Sequence, residues 1–341
     1  MFKVPKSKKF LYLGVVSERA AQKYGDTPIT LDHDMEAFPE VGQKLTVREF
    51  AQLVADTANR LWAAGVRPSE HVAVYKTSSF DITVLACAVA RIGAVPAMLS
   101  PHLDGETIGK LLERLERPTL LTDEAKLSGS LAGLPLRELT ERVLSATGPH
   151  PDAVALADLA GAPERRPVLL DPDQPALMTH TSGTTGVPKL VVHSARSLGA
   201  RGNWQDKVVS FIRKRETVAM HVSYVHSRMY LGLAVLQTRG MPMVFMDDGS
   251  PAHVADILVR HRRASWRPTP TPSWSGRRCS RTRAGRSPTS STSTAPSTRS
   301  TEHDAQVPAR LGPPQPGVPP GVRADASAVR WPAAPTGAAT P

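Results

Sequence analysis

The sequence predicts an α/β fold of layered, mainly parallel sheets with flanking helices, followed by a disordered tail. Two observations support the folded part: segments with helical and strand-like spacing alternate over residues 1–261, and short Pro- or Gly-containing turns separate them. A third observation, a change of composition near residue 261, marks the start of the tail. We therefore divide the chain into a folded domain at 1–261 and a low-complexity tail at 262–341.

The helices are predicted from apolar residues that recur at helical spacing. After an amphipathic N-terminal segment, a helix is expected within 45–65, with Thr46 as its N-cap and Gly65 as its C-terminal signal. Further helices are expected at 79–93, 104–116 and 251–261. The buried face of the helix within 45–65 consists of Phe50, Leu53, Val54, Ala58 and Leu61.

The strands are predicted from short apolar or alternating runs between these helices. The segment 134–166 has a weaker pattern and is predicted to be a surface excursion. The predicted strands lie within 71–76, 94–100, 118–123, 175–181, 189–194, 216–224 and 241–248.

Most of the positive charge of the chain lies in the tail. The formal net charge is +11, but residues 1–260 hold 30 Lys and Arg against 28 Asp and Glu, whereas residues 261–341 hold 12 against 3. The part of the chain that can fold is therefore close to neutral. This balance argues against nucleic acid or an acidic membrane surface as the partner of the folded domain.

Cysteine use and the N-terminus predict a cytoplasmic, reducing location. Cys87 lies in an apolar run and is expected to be a small buried side chain, while Cys279 lies in the tail. The apolar run FLYLGVV near the N-terminus is too short for a signal peptide, and no run approaches the roughly 18 apolar residues of a membrane-spanning helix. We therefore expect no membrane association.

A string rich in glycine and hydroxyl groups, TSGTTGVPK at 181–189, lies between two predicted strands. Its glycines permit positive φ and close approach of backbone N–H groups to an anion, its hydroxyls can donate hydrogen bonds, and its lysine adds a positive charge. This combination suits a polyphosphate. A Walker A loop has four residues between its glycines, whereas two separate Gly183 from Gly186. The alternative is an ordinary hairpin turn with an exposed lysine.

The string TSGTTGVPK resembles the signature loop of the adenylate-forming superfamily, the AMP-dependent synthetases and ligases that include acyl-CoA synthetases. Residues 45–75, 88–101 and 171–186 resemble the same family in the same order. The resemblance covers the N-terminal portion of the family only, over the first 260 residues. It identifies 1–261 as an incomplete N-terminal adenylation domain.

This resemblance implies ATP-dependent activation of a carboxylic acid. The substrate carboxylate attacks the α-phosphorus of ATP, pyrophosphate leaves, and the acyl group of the acyl-adenylate passes to coenzyme A or to the phosphopantetheine thiol of a carrier protein. Mg²⁺ is expected beside Thr184, and fatty, aryl and amino acids all remain open as substrates. The residues implied to hold the β- and γ-phosphates are Thr181, Ser182, Gly183, Thr184, Thr185, Gly186 and Lys189.

The segment 222–248 resembles the next family motif, in which a histidine or aromatic residue lies near the acyl-binding pocket. His226 is the residue that matches, and Met229 stands where the family has a glycine. Two interpretations of His226 therefore stay open: a substrate-binding residue, or a histidine at a helix start that packs between layers.

The tail has a composition that cannot form a core. Residues 262–301 contain only Ala, Arg, Ser, Trp, Pro, Thr, Gly and Cys, so this segment is expected to be disordered. These residues share codons with G or C in the middle position, as expected if a GC-rich gene is read out of frame. Our hypothesis is that the frame slips near His261.

A frame slip has consequences for function. The family segments expected after residue 260 are not recognisable in this sequence, so we expect a truncated, weakly active or inactive enzyme. The first alternative is a non-catalytic nucleotide-binding remnant. The second is non-specific binding of nucleic acid by the basic tail, without a recognition module and sensitive to salt.

Overall fold

The fold is described from a computed structural model. The structure describes residues 9–181, 186–210 and 216–261, together with the backbone of 264–268. All of these residues belong to one compact unit, Met1–Ser275. Except for 264–268, the tail at 262–341 lies outside the described residues. Its disorder, the frame slip and the domain boundary at 261 therefore stay predictions.

The described residues form two β-sheets, in which most neighbouring strands are parallel. The seven-stranded sheet has the order β7-β6-β5-β3-β4-β8-β9, and the five-stranded sheet has the order β12-β10-β11-β1-β2. The strands are β1 Pro28–Leu31, β2 Lys44–Thr46, β3 His71–Val74, β4 Val95–Met98, β5 Thr119–Thr122, β6 Arg142–Ser145, β7 Val154–Ala155, β8 Pro175–His180, β9 Leu190–Ser194, β10 Thr217–His221, β11 Met243–Met246 and β12 Ala264–Pro268.

Helices alternate with these strands, as an α/β fold requires. Among the strands that the structure describes, only the pairs β1–β2 and β8–β9 are antiparallel. The predicted fold class, mainly parallel sheets with flanking helices, is therefore confirmed. The described helices are α1 Val16–Tyr24, α2 Val47–Ala63, α3 Asp81–Arg91, α4 Gly105–Arg114, α5 Glu124–Ser128, α6 Leu136–Leu139, α7 Ala195–Val208, α8 Ser227–Arg239 and α9 Pro251–Arg260.

Helix α2 shows how local sequence determines an element. Thr46 is its N-cap, and a capping box links the Thr46 side chain to the Glu49 N–H and the Glu49 carboxylate to the Thr46 N–H. Phe50, Val54 and Leu61 are buried on the face predicted from their spacing. The helix ends at Ala63, and Gly65, which directly follows the C-cap residue Ala64, has the positive φ of a C-terminal glycine.

The main core joins the two sheets through buried apolar side chains. One cluster includes Leu31 and Phe245 from the five-stranded sheet and Val72 and Leu121 from the seven-stranded sheet. Helix α3 is buried along nearly its whole length. Cys87 lies in this helix, and its burial raises the pKa of the thiol to about 12, so the predicted small buried side chain is confirmed.

Two expectations from the sequence are wrong in part. The segment 134–166 was expected to be a surface excursion, but β6 and β7 lie within it and extend the seven-stranded sheet in parallel. Strand β6 has polar residues at both ends and β7 has only two residues, so their pattern is weak. Residues 264–268, expected to be disordered, form β12 parallel to β10, because backbone hydrogen bonds to a strand do not require apolar side chains.

The topology determines where polar groups gather. Strands β3, β4, β5 and β8 run parallel to one another, so their carboxyl ends share one edge of the seven-stranded sheet. Ligands of open α/β sheets bind at this edge. The string at 181–189 lies there, because it connects the carboxyl end of β8 to the start of β9.

Candidate nucleotide site

The candidate site is a β-hairpin loop at the edge of the seven-stranded sheet. Strand β8 pairs with β4 on one side and, antiparallel, with β9 on the other. The loop begins at Thr181 and returns at Lys189, as the strand-loop-strand pattern predicted.

Backbone and side-chain hydrogen bonds close the base of the loop. The Thr181 N–H donates to the Lys189 carbonyl at 3.0 Å, and the Lys189 N–H donates to Thr181 Oγ1 at 3.3 Å. The Thr181 hydroxyl therefore acts as an acceptor here and keeps its own proton for a further acceptor. The Lys189 side chain is exposed and has no ion pair within the described residues.

Gly186 gives the loop a conformation that other residues rarely adopt. Its φ is +134°, and a Cβ added at this position would meet no atom within 4 Å. The backbone here is therefore open on the side where a side chain would project, which allows close approach of an anion. Ser182, Gly183, Thr184 and Thr185 lie outside the described residues, so their predicted roles, including the Mg²⁺ contact of Thr184, stay predictions.

Two side chains that the sequence reasoning missed connect the loop to the rest of the domain. His180 Nε2 accepts a hydrogen bond from the Ser100 N–H at 3.0 Å, and His180 Nδ1 lies 2.9 Å from the Thr181 carbonyl oxygen. Arg114, at the end of α4, donates to the Pro188 carbonyl at 3.0 Å. A histidine directly before the glycine-rich string was the available signal for the first contact.

His226 is the N-cap of α8. Its Nδ1 accepts a hydrogen bond from the Arg228 N–H at 3.2 Å, and the residue is exposed. The sequence left two interpretations of His226 open: a substrate-binding residue, or a histidine at a helix start that packs between layers. The helix start is as the second interpretation has it, but an exposed ring does not pack between layers. The substrate-binding role stays a prediction.

Comparison with known proteins identifies the family. The family model described as AMP-binding enzyme matches residues 17–272, which is more than half of the chain. The chain belongs to the AMP-binding enzyme family. The match includes the hairpin loop and the described strands of both sheets.

Relatives of this AMP-binding enzyme differ in the reactions for which they are named. The chain is 43% identical over 274 residues to a 3-amino-2-hydroxy-4-methoxybenzoate diazotase from Streptomyces cremeus, covering 74% of this chain and 49% of that protein. It is 32% identical over 167 residues to a 4-chlorobenzoate–CoA ligase from an Arthrobacter species, covering 48% of this chain and 30% of that protein. The chain thus spans half or less of the length of both relatives.

Solved structures support the fold. The crystal structure of a long-chain-fatty-acid-CoA ligase from Archaeoglobus fulgidus superposes with a TM-score of 0.64 and 22% sequence identity. The match covers 77% of this chain and 51% of that chain. At this identity the likeness establishes the fold alone.

Two histidines of this AMP-binding enzyme, His193 and His226, have a pKa below the ordinary value of 6.5. His226 is exposed as a whole residue, but desolvation of its ring, followed by repulsion from Arg228 and Arg201, lowers its pKa. Burial, followed by the positive charge of Arg201, lowers the pKa of His193, whose Nε2 lies 2.9 Å from Thr179 Oγ1. At neutral pH both rings are therefore hydrogen-bonding groups without charge.

Two kinds of feature are absent from the residues that the structure describes. No three His, Cys, Asp or Glu side chains in this part of the chain are placed to hold a metal ion. In the same part of the chain, no helix is both long enough and apolar enough to cross a membrane.

Proposed function

We propose that the chain is the ATP-binding part of an AMP-forming ligase and that its 181–189 loop holds the β- and γ-phosphates of ATP. The observation that carries this proposal is the loop itself. Hydrogen bonds between Thr181 and Lys189 close its base, and its backbone at Gly186 is open on the side where a side chain would project. The exposed ammonium group of Lys189 lies at its end. Membership of the AMP-binding family supports ATP as the ligand.

The residues present fit a triphosphate. The Thr181 hydroxyl proton and the Lys189 ammonium group are donors, and donors to phosphate oxygens form short, charge-assisted hydrogen bonds. Mg²⁺ in such sites is usually held by substrate phosphates with few protein ligands, which is compatible with the predicted contact of Thr184. The metal supplies neutralisation of phosphate charge, while the loop residues orient the phosphates and keep the α-phosphorus in line for attack.

The first reaction we propose is activation of a carboxylic acid. A carboxylate oxygen bonds to the α-phosphorus, the bond to the β-phosphate oxygen breaks, and pyrophosphate leaves. The acyl-adenylate then gives its acyl group to a thiol of coenzyme A or of a carrier-bound phosphopantetheine, and AMP leaves. Kinship with a 4-chlorobenzoate–CoA ligase supports this reaction and an aryl acid as substrate. His226 is proposed to contact the acyl group.

A second reaction is favoured by a specific observation, the 43% identity to a diazotase over 74% of the chain. Conversion of an aromatic amine to a diazo compound requires an activated nitrogen donor, and nitrite is an oxyanion like a carboxylate. In this reaction nitrite oxygen bonds to the α-phosphorus and pyrophosphate leaves. The amine nitrogen then bonds to the nitrite nitrogen, AMP leaves, and loss of water from the N-nitroso product gives the diazo group.

Binding of Mg·ATP to the 341-residue chain tests the site directly, because it does not depend on turnover. Lys189→Ala is expected to weaken binding by about tenfold or more, through loss of a charge-assisted bond worth about 1.5–3 kcal/mol. Lys44→Ala is the matched control, since Lys44 is an exposed lysine on β2. Calorimetry that finds no ATP binding, or equal loss in both variants, contradicts the proposed site.

Pyrophosphate release separates the two reactions. Benzoate with coenzyme A supplies a carboxylate but no nitrite, and nitrite with 2-aminophenol supplies nitrite and an aromatic amine but no carboxylate. Release with the first pair alone supports acid activation, and release with the second pair alone supports diazotisation. ATP binding without release in either case is the result expected of a nucleotide-binding remnant.

A further inference from the structure

The start of the loop is attached to the neighbouring strand through a single imidazole ring. His180 is half-buried at the end of β8, and Ser100 follows β4, the strand that pairs with β8. Because His180 Nδ1 faces a carbonyl oxygen, this nitrogen must carry the proton. Nε2 is then left with a lone pair, which accepts the Ser100 N–H. One neutral tautomer satisfies both contacts.

The return limb of the loop has a separate attachment. Arg114 holds the Pro188 carbonyl, and Pro188 directly precedes Lys189. Because Thr181 and Lys189 are bonded to each other, the two attachments hold the closed base of the loop from both sides. Without the His180 ring, the Thr181 carbonyl would lose its side-chain donor and the Ser100 N–H would lose its acceptor.

We propose that His180 is a positioning residue for nucleotide binding: by donating to the Thr181 carbonyl while it accepts from Ser100, it fixes the direction in which the chain enters the phosphate loop. This inference rests on the proposed function, since it assumes that the loop holds phosphate. It assigns His180 no contact with ATP. A positioned loop binds more tightly than a mobile one, because less conformational entropy is lost when the ligand binds.

Three substitutions separate the two contacts. His180→Phe keeps a ring and removes both hydrogen bonds. His180→Asn places an amide nitrogen near the position of Nδ1 and can serve only the Thr181 carbonyl. His180→Gln is longer and offers one donor and one acceptor to the two partners. His71→Phe is the control, because His71 is half-buried at the amino end of β3, at the opposite edge of the same sheet.

The test is the dissociation constant of Mg·ATP, measured by calorimetry on the full chain, together with the melting temperature of each variant. We expect His180→Phe to weaken binding about tenfold, His180→Asn to recover little of this loss, and His180→Gln to recover most of it. His71→Phe should bind as the unsubstituted chain does. Recovery by Gln without a matching change in melting temperature is the result that a merely structural role would not give.

Two results overturn the inference in different ways. The first result is that the unsubstituted chain binds ATP and Lys189→Ala weakens binding, whereas His180→Phe does not. His180 is then not a positioning residue, although the site is correct. The same conclusion holds if His180→Phe and His180→Gln lose binding and melting temperature together. If the unsubstituted chain binds no Mg·ATP, the proposed function fails and the inference fails with it.

Discussion

Two lysines at the same edge of the seven-stranded sheet have opposite surroundings. Lys76 follows β3 and is completely buried, with its Nζ 3.0 Å from the Thr77 carbonyl and 2.9 Å from Asp81 Oδ1. Lys189 closes the hairpin loop and is exposed. The first lysine has its acceptors inside the protein, and the second is available to an acceptor from outside.

A carboxylate of the five-stranded sheet, that of Asp32 directly after β1, has its partners inside the protein, as Lys76 does. The Asp32 side chain is almost completely buried and accepts hydrogen bonds from the backbone N–H groups of Asp247 and Asp248, and it also contacts the rings of His33 and His253. Its hydrogen-bonding capacity is met within the fold. Charge at the edge of a sheet is therefore no guide to function by itself. Charged groups with partners inside the protein stabilise the fold, and charged groups without such partners can bind ligands.

The largest expected effect is that of removing the buried lysine. Lys76→Met leaves Asp81 and Asp123 buried without their cationic neighbour and should lower the free energy of unfolding by about 3–5 kcal/mol. Lys189→Met should change it by less than about 0.5 kcal/mol. Urea unfolding followed by circular dichroism gives both values. Adding Asp81→Leu to Lys76→Met should recover part of the loss. Equal losses for the two lysines would show that the comparison is wrong.

The next effect is a pH dependence of stability through Asp32. Burial alone would raise the pKa of Asp32, but the hydrogen bonds from His33 and from the N–H groups of Asp247 and Asp248 outweigh it and hold the pKa below its ordinary value of 3.8. A lowered pKa means that the ionised carboxylate stabilises the fold. This contribution is complete well above pH 3.8 and is lost as the pH falls through the lower value of the folded state.

Asp32→Asn tests this sign. At pH 7 the free energy of unfolding of the variant should be about 1.5–3 kcal/mol lower than that of the unsubstituted chain, which is the range for hydrogen bonds to a charged group. The difference in free energy of unfolding between the two proteins should become smaller between pH 5 and pH 3, because the contribution of Asp32 is lost there. The other carboxylates titrate equally in both proteins. A difference that stays constant over this range would exclude Asp32 as the titrating group.

The sequence predicted those features that depend on neighbouring residues. The Thr46 cap, the buried face of α2 and the strand-loop-strand setting of 181–189 all follow from spacing within about twenty positions. His180 was missed because its partner Ser100 is distant in the chain and is brought close by the tertiary fold. Lys76 was missed because its contacts with the nearby Asp81 and the distant Asp123 form only when the end of β3 is buried against α3 and β5. Strands β6 and β7 were missed because a half-polar strand of four residues and a strand of two residues form only through pairing with the sheet beside them.

A smaller effect, on binding and not on folding, is expected at Gly186. Ala at this position meets no atom but is strained at a φ of +134°, at about 1–3 kcal/mol. We expect the loop to relax and the affinity for Mg·ATP to fall by about tenfold. Gly42→Ala is a matched control, because Gly42 has a φ of +64° with no neighbouring atom within 4 Å and lies outside the loop. Equal ATP affinities in the two variants would count against the loop as the site.

The smallest effect is expected from the cap of α2, which stabilises the fold but has no contact with the loop. Thr46→Ala removes the side-chain acceptor of the Glu49 N–H and should lower the free energy of unfolding by about 1 kcal/mol. Thr46→Ser keeps that acceptor and should restore most of the stability. Affinity for Mg·ATP should be unchanged in both variants, because the capping box stabilises the fold and does not contact the loop. Loss of ATP affinity in Thr46→Ala would show instead that the stability of α2 and the conformation of the loop are coupled.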